Sequence, residues 1–354
     1  MIIESALTIY IILFKKSKFV FSTKEQTMSN TTSASCRVLS WSTDTMMGRI
    51  PTLVICIVAA PIHVIFWIHL LFYPSVRQKG IVWLYIYLLS DLFLIFRYLL
   101  FYGQRANNVC VPITPRLYLC YFEAASKIYT NTLQSYILLG LNICRYIQIV
   151  HNHNVYVKHT GLLILSQIAI FILPAVNIAF QFVTNWTVLW RKSGSLCDIT
   201  YNSTYVQIYN LIIVYIIPVS LNILFLSLCI RFIKSTGHIQ HQQILNNRRK
   251  FHRTILTQSL IFYIIWIILW SPFVISFQFI NANSLPGMFI SLLNYIQVAI
   301  DPIIVAVIDV RFLKAWKNTY NKIFKRTQRH IQPTTVTATI TRRRLDTGLF
   351  PRSF

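Results

Sequence analysis

The sequence predicts an all-α membrane protein, a bundle of seven transmembrane helices followed by a short amphipathic eighth helix. Two observations carry this prediction. Of the 354 residues, 55% are hydrophobic and only 12% are charged, with a mean hydropathy of +0.55, whereas soluble domains average about 25% charged residues. The second observation is a series of apolar segments, each matching the roughly 20 helical residues that cross the hydrocarbon core.

Seven such segments follow one another along the chain. They are residues 50–72, 81–102, 116–143, 161–183, 205–233, 254–280 and 286–308. Buried helices of a large soluble protein would need polar faces at helical spacing, and segment 211–230 shows none. The resulting domain prediction is an extracellular N-terminal segment (1–49), the bundle (50–308), an amphipathic cytoplasmic helix (309–330) and a disordered cytoplasmic tail (331–354).

Basic residues are concentrated on one side of the predicted bundle. Of the 33 Lys and Arg residues, 21 fall in loops 73–80, 145–160 and 231–253 or in the tail, against 4 in the opposite loops. Cytoplasmic loops carry the excess of Lys and Arg, so we expect the C-terminus in the cytoplasm and the N-terminus outside. The excess of positive charge then indicates membrane topology and not a nucleic-acid partner.

Three N-x-[ST] sequons, at Asn30, Asn185 and Asn202, fall on the predicted extracellular side. Such sequons are acceptors only in the secretory lumen. Their placement disfavours the inverted seven-helix topology of insect-type odorant channels. The sequence therefore predicts a glycosylated, multi-pass protein of the plasma membrane.

Charges inside the predicted spans are few, and each needs a partner or a role because charge is costly in lipid. Glu123 and Lys127 stand four residues apart, acid first, and would meet on one helix face; Arg97 of the second span is close enough in the predicted bundle to join them. Structural pairing and direct ligand contact both remain open for these three residues.

Asp91 and Asp301 lie deeper in their spans, without a basic neighbour in sequence. Two facing carboxylates repel each other, so one is protonated or a cation lies between them. Gln134 and Gln297 would complete an oxygen-lined cluster. Na⁺ near Asp91 and a shared proton with water are the two alternatives; the sequence predicts no other cofactor and no other metal site.

A set of short motifs, each on a different segment, accompanies the seven spans. The set comprises Leu88–Leu92 (LLSDL), Cys120 placed 25 residues before Arg145, the pair Arg145–Tyr146, Pro218, Trp270–Ser271–Pro272, Asp301–Pro302, and Phe312 ten residues beyond Pro302. Taken in order, these motifs resemble those of the rhodopsin-like (class A) G-protein-coupled receptors, over about residues 50–324. The resemblance implies that Arg145 and Tyr146 contact a G protein.

The cysteines on the predicted extracellular side suggest disulfide bridges. Cys120 tops the third span and Cys197 lies in the long loop before the fifth, and both this placement and the family resemblance imply that they are joined. A second bridge is predicted between Cys36 and Cys110, with two free thiols as the alternative. Cys56, Cys144 and Cys229 are expected to be unpaired.

A ligand cavity is predicted at the outer end of the bundle. Lys127, Asn131 and Gln134 follow a spacing of i, i+4 and i+7, which places them on one stripe of the third helix. Trp270, Phe273 and Phe277 form a matching stripe on the sixth span, for which ordinary packing is the alternative. The resemblance adds Asn210 and Tyr295 to the candidate wall.

The same residues narrow the ligand class. The seventh span carries Tyr295 near the point where a retinal-binding opsin needs a lysine, and Lys127 stands near the place where amine receptors carry an aspartate. A cationic amine would be repelled there. The long second outer loop and a tethered N-terminal segment favour a peptide, and a small acidic molecule is the rival.

The predicted function is that of a receptor, not an enzyme, which converts binding of an extracellular ligand into activation of a heterotrimeric G protein. Arrestin, a receptor kinase and the lipid bilayer are the further expected partners. Departures from the family pattern include Cys144 in place of the acid before Arg145, and Leu226 and Val305 in place of two tyrosines. A receptor-like protein without standard coupling, and a transporter or channel, are the rival readings.

Overall fold

The computed structural model describes residues 37–38, 42–73, 82–107, 109–151, 156, 160–190, 196–235, 243–280, 284–308, 312–313, 317 and 321. Within them the chain is mostly helical. The long helices are α1 (Thr43–Phe72), α2 (Val82–Ala106), α3 (Ile113–Val150), α4 (Thr160–Val183), α5 (Thr204–Ser235), α6 (Gln243–Phe277) and α7 (Leu285–Ile308). The strands are β1 (Arg37–Val38), β2 (Cys110–Val111), β3 (Thr187–Trp190) and β4 (Asp198–Tyr201).

Six of these helices, all except α3, are long and apolar enough to cross a membrane. Their outward faces carry exposed apolar side chains, such as those of Phe96, Leu165 and Val176. Charged side chains are instead buried, among them Asp91 and Glu123. Because water-soluble proteins keep charge on the surface, this distribution is that of a multi-pass membrane protein.

The predicted segments locate the helices well but miss some of their ends. Helix α1 begins at Thr43, seven residues before the predicted segment 50–72. Ser42 was not recognised from the sequence as the helix cap. The Ser42 Oγ accepts a hydrogen bond from the Thr45 amide at 3.3 Å, which stabilises the first turn. Helix α3 likewise extends beyond 116–143 at both ends. Polar residues continue these helices outside the apolar core.

Pro218 interrupts the regular hydrogen bonding of α5. Proline has no amide hydrogen, and its ring clashes with the carbonyl four residues earlier in an α-helix. The helix has a π-helical segment, Ile212–Ile216, immediately before this proline. The local widening keeps α5 continuous from Thr204 to Ser235.

The helices pack around an apolar core that includes the fully buried side chains of Trp83, Trp266 and Trp270. Gly140 of α3 lies where three helices approach closely: a Cβ atom there would stand 3.0 Å from the ring of Trp83 on α2 and 3.1 Å from Ile170 on α4. An alanine at position 140 would therefore require these side chains to shift by a few tenths of an ångström.

Helix α1 is held to α7 by a polar and an aromatic contact. The His63 ring Nε2 lies 2.9 Å from the Val298 carbonyl oxygen. Phe66 stacks on Phe312 with ring centroids 4.7 Å apart, and Phe312 is fully buried. These contacts fix the lower part of α1 against the chain beyond α7.

Two predicted segments fall largely outside the described residues. Of the amphipathic helix at 309–330, only Phe312, Leu313, Lys317 and Asn321 are described, and residues 1–36 and the tail at 331–354 are not described at all. The sequon at Asn30 and the thiol of Cys36 belong to this undescribed part.

Short strands cover the opposite end of the bundle. Strand β1 pairs with β2, with Arg37 opposite Val111 and Val38 opposite Cys110. Strands β3 and β4 form an antiparallel hairpin between α4 and α5. Burial between this hairpin and the helices raises the pKa of the Tyr201 hydroxyl, which keeps it neutral.

Candidate functional site

The main cavity is a cleft between α1, α2, α3, α7 and the strand hairpin, with about 490 Å³ of space between atoms when its opening to solvent is included. Four of the predicted ligand-contact residues line it: Arg97, Glu123, Lys127 and Tyr295. Its other walls are formed by Arg49, Tyr98, Phe101, Tyr102, Ala124, Leu196, Cys197, Asp198 and Ser291. The structure thus brings residues from both halves of the chain to one site.

A disulfide bond attaches the segment before β4, which forms one wall of this cavity, to helix α3. Cys120 near the start of α3 is bonded to Cys197, just before β4, as the sequence predicted. Cys110 is also disulfide-bonded, and the residue after Cys36, Arg37, pairs with Val111; Cys36 itself lies outside the described residues. Cys56, Cys144 and Cys229 are free, which confirms that prediction.

Glu123 forms an ion pair with Arg105 of α2, and not with Lys127 as the helical spacing suggested. Arg105 Nη1 donates to Glu123 Oε1 at 2.7 Å, and Nη2 donates to Oε2. The amide of Cys197 donates to the same Oε2 at 3.1 Å. The fork of a guanidinium matches a carboxylate with two parallel hydrogen bonds, which a lysine four residues away cannot do.

Arg97 is held on the wall of the cavity by uncharged groups of α3. Its Nε donates to Ser126 Oγ at 2.6 Å, and its Nη2 donates to the backbone carbonyl of Glu123. Its guanidinium carbon also lies 5.7 Å from the centroid of the Phe101 ring. The cation is therefore positioned without using a carboxylate of the described residues.

The ammonium of Lys127 lies between two aromatic rings. Its Nζ is 4.7 Å from the centroid of Phe273 and 4.7 Å from that of Phe277, which places the predicted aromatic stripe of α6 opposite the stripe of α3. Lys127 borders the main cavity and two smaller clefts, which have about 200 and 250 Å³ of space between atoms when their openings to solvent are included. It is the point at which these three spaces meet.

Trp270 and Asn131 join α6 to α3 beneath the cavity. The indole Nε1 donates to Asn131 Oδ1 at 3.2 Å, and Asn131 Nδ2 donates to the Lys127 carbonyl at 2.8 Å. Trp270 also stacks on Trp266 with a centroid distance of 4.1 Å. Asn131 lines the 250 Å³ cavity, so a ligand there lies close to this interhelical bond.

Asn210 does not line any of the three cavities described. It exchanges two hydrogen bonds with Gln181 of α4, at 2.7 and 3.0 Å. Both side chains are buried. This pairing joins α4 to α5, and the ligand contact that the resemblance implied for Asn210 stays a prediction.

The deeper carboxylates form one polar cluster, as the sequence predicted. Gln134 Nε2 donates to Asp91 Oδ1 at 2.6 Å, and Tyr87 donates to Asp301 Oδ2 at 2.7 Å. Gln297 Nε2 donates both to the Tyr87 hydroxyl, at 2.7 Å, and to Asp301 Oδ2, at 3.2 Å. The two carboxyl groups are close enough to interact electrostatically.

Several oxygens around this cluster have no hydrogen-bond donor among the described residues. They are Asp91 Oδ2, Gln134 Oε1 and Gln297 Oε1, all buried. Asn294 Oδ1, three residues before Gln297 on α7, is a further buried oxygen without a donor. Buried polar atoms normally have a partner, and oxygens of this kind are ligands for hard cations. The donor set therefore fits a small cation beside Asp91, and it fits a protonated carboxyl with water equally well.

At the far end of α3, Arg145 contacts α6. Its Nη1 donates a hydrogen bond to Ser259 Oγ. Tyr146, the next residue, packs against Phe225 of α5 with ring centroids 5.4 Å apart. The three helices α3, α5 and α6 thus meet at Arg145 and Tyr146.

The two described sequons lie beside the strand hairpin. Asn185 precedes β3 and has φ of 56°, a left-handed conformation that asparagine adopts more readily than most residues. Asn202 follows β4, and both side chains are exposed. The Asn202 side-chain amide donates a hydrogen bond to the Asn185 carbonyl, so the two sequons are in contact.

Some residues of the site were missed by the sequence reasoning. Tyr87 stands one helical turn before Asp91, and Asn294 three residues before Gln297, so helical spacing would have found them. Arg49, Asp198 and Ser259 carry no comparable signal. Their positions depend on the packing of distant segments.

No family model matches this sequence, and no curated protein matches it.

Proposed function

We propose that this protein is a class A G-protein-coupled receptor. One observation carries the proposal: helix α3 bears Lys127 at a cavity closed by the Cys120–Cys197 bridge and, 18 residues later, Arg145 bonded to α6. At 1.5 Å per residue these groups are about 27 Å apart. Helix α6 contributes to both ends, through Phe273 and Ser259.

Helix α3 would complete the proposed bundle, as a transmembrane span in addition to the six apolar helices. Its charged residues lower its hydropathy, but Glu123 is paired with Arg105 and Lys127 is buried against the rings of α6. With seven spans the termini lie on opposite sides, and the distribution of Lys and Arg places the N-terminus outside the cell. Asn185 and Asn202 then face the lumen during synthesis, as glycosylation requires.

Activation would displace the inner end of α6. Pro272 lies within α6, near Trp270 and Phe273, and a proline permits a helix to bend because it removes one backbone hydrogen bond. A ligand that binds better when α6 is displaced shifts a pre-existing equilibrium towards that state. The Arg145–Ser259 bond then opens and frees Arg145 for a G protein.

The inner surface supplies the other proposed contacts. The basic stretch at 309–330 would lie on anionic lipid headgroups as an amphipathic helix, and Phe312 anchors its start against Phe66. The Thr-rich tail would be the substrate of a receptor kinase and the binding segment for arrestin. Na⁺ beside Asp91 would be held by the oxygens of Gln134, Asn294 and Gln297.

The proposal is tested in cells that report several G-protein pathways, challenged with a peptide library. A ligand-dependent signal from the native chain is expected, together with its loss in Arg145→Ala at equal cell-surface amount and equal ligand binding. A signal that is unchanged in Arg145→Ala contradicts the mechanism. Ligand binding without any G-protein signal would favour a receptor-like protein that does not couple.

A further inference from the structure

The main cavity has more positive charge than its own carboxylates balance. Three cations line it, Arg49, Arg97 and Lys127, against the carboxylates of Glu123 and Asp198. Glu123 is already engaged by Arg105, which lies behind the cavity wall. The surplus lies on the side formed by α2 and α3, where Arg97 and Lys127 make no hydrogen bond or ion pair with a carboxylate side chain of the described residues. Asp198 and Glu123 act on Lys127 only through longer-range electrostatic attraction.

Lys127 is the sharper case of the two. The residue is 8% exposed, and its ammonium lies over the faces of Phe273 and Phe277. A cation–π contact recovers only part of the cost of removing an ammonium from water. A buried cation that stays charged therefore attracts an anion into the space beside it.

The side chains around Lys127 also favour a particular kind of group next to the acid group of a ligand. The 200 Å³ cavity is bounded by Phe273, Phe277, Ile280 and Ile290. The 250 Å³ cavity is bounded by the same two rings together with Ile128, Val214 and Val274. A ligand whose acid group reaches Lys127 from the main cavity has these apolar surfaces directly beside that acid group.

We propose that the ligand of this receptor carries a carboxylate, bound between Lys127 and Arg97, next to an aromatic or branched apolar group that packs on Phe273 and Phe277. The inference rests on the proposed receptor function for its biological meaning. A free peptide C-terminus on an apolar residue has this chemistry, and so does a small aryl or branched organic acid. The same two cations would recognise either source.

The first experiment measures thermal unfolding of the purified full-length protein in lipid nanodiscs with matched probes. The peptide arm is a library of short peptides ending in Phe, Leu or Ile, each as free acid and as C-terminal amide. The second arm is a set of aryl-alkanoic acids with their amides. We expect acids to raise the unfolding midpoint and to bind roughly tenfold or more tightly than their amides, because an amide leaves the cations unpaired.

Two substitutions assign the effect to Lys127. Lys127→Gln is expected to remove the preference for acid over amide, while Lys127→Arg retains part of it. Lys234→Gln is the matched control, because Lys234 is an exposed lysine on α5 that lines none of the three cavities. An acid preference that persists in Lys127→Gln, or the absence of stabilisation by any acid of either arm, overturns the inference.

A second measurement needs no ligand. Lys127→Met keeps the length of the side chain and its contact with the rings while removing the unbalanced charge, so the unfolding midpoint of the ligand-free protein is expected to rise. Lys234→Met should leave the midpoint unchanged. A fall in the midpoint of Lys127→Met shows that the ammonium has a structural partner, and it overturns the inference.

The two proposals fail in different ways. Acid binding that depends on Lys127 without any G-protein signal supports the ligand class and contradicts the receptor function. A G-protein signal produced by amides or amines, with acids inactive, contradicts the ligand class and leaves the receptor function standing.

Discussion

The guanidinium of Arg145 on α3 donates a hydrogen bond to the hydroxyl of Ser259 on α6. Ser259 is buried, and its hydroxyl is neutral, so the helices are joined by a charge-assisted hydrogen bond without an acid. Such bonds contribute about 1.5–3 kcal/mol. They are weak enough for a ligand with differential affinity to overcome.

Removing this bond is expected to raise ligand-independent signalling. Ser259→Ala loses the acceptor for Arg145, and a change of about 1.5 kcal/mol alters the equilibrium between the two positions of α6 roughly tenfold. Basal nucleotide exchange on the G protein measures the effect. Ser166→Ala is the control, because the Ser166 hydroxyl donates to the Leu163 carbonyl within its own helix. Equal basal exchange in both variants would contradict the role of Ser259.

The Arg105–Glu123 pair is expected to behave as a buried ion pair. Removing one partner leaves the other charge uncompensated, at a cost of about 3–5 kcal/mol. Arg105→Met and Glu123→Met should each lower the unfolding midpoint in detergent strongly. The double variant should recover much of the loss, and a double variant as unstable as the sum of the two singles would contradict direct pairing.

Sodium is expected to stabilise the protein through the cluster around Asp91. A ligand that binds the folded state raises the free energy of unfolding with its concentration. The unfolding midpoint should therefore rise when Na⁺ replaces K⁺ at constant ionic strength, and Asp91→Asn should abolish that difference. An equal response in the native protein and in Asp91→Asn would favour a shared proton with water.

Alanine substitutions at two glycines distinguish the effect of close packing on stability from the effect of helix propensity. At Gly140 an added Cβ meets Trp83 and Ile170 at 3.0 and 3.1 Å, whereas at Gly103 nothing lies within 4 Å. We expect Gly140→Ala to destabilise the protein by about 1–3 kcal/mol. Gly103→Ala should be neutral or stabilising by up to about 1 kcal/mol, and thermal unfolding of the two variants compares them directly. Similar midpoints would mean that the helices relax apart around residue 140.

The positions of the helices could be predicted because apolar length is a property of sequence alone. The six apolar helices that the structure identifies fall on six of the predicted segments. The remaining predicted segment, 116–143, falls on α3. Helix ends were less predictable, since the cap at Ser42 and the polar extensions of α3 depend on local hydrogen bonds. The disulfide between Cys120 and Cys197 was also predicted.

Partner choice within the site was not predictable to the same degree. The spacing of Glu123 and Lys127 is equally compatible with a pair between them and with two separate partners. Arg105 decides the matter because its guanidinium reaches Glu123 from α2. Asn210 is a further example, since Gln181 of α4 satisfies its amide in both directions.

The sequence by itself determined the medium in which this protein folds and the helices that cross it, because the free energy of placing a segment in lipid is a sum over the residues of that segment. Only the tertiary structure decided which buried charges are paired with a carboxylate or guanidinium and which are not. That outcome depends on distances between side chains of different helices, and no local pattern along the chain encodes them.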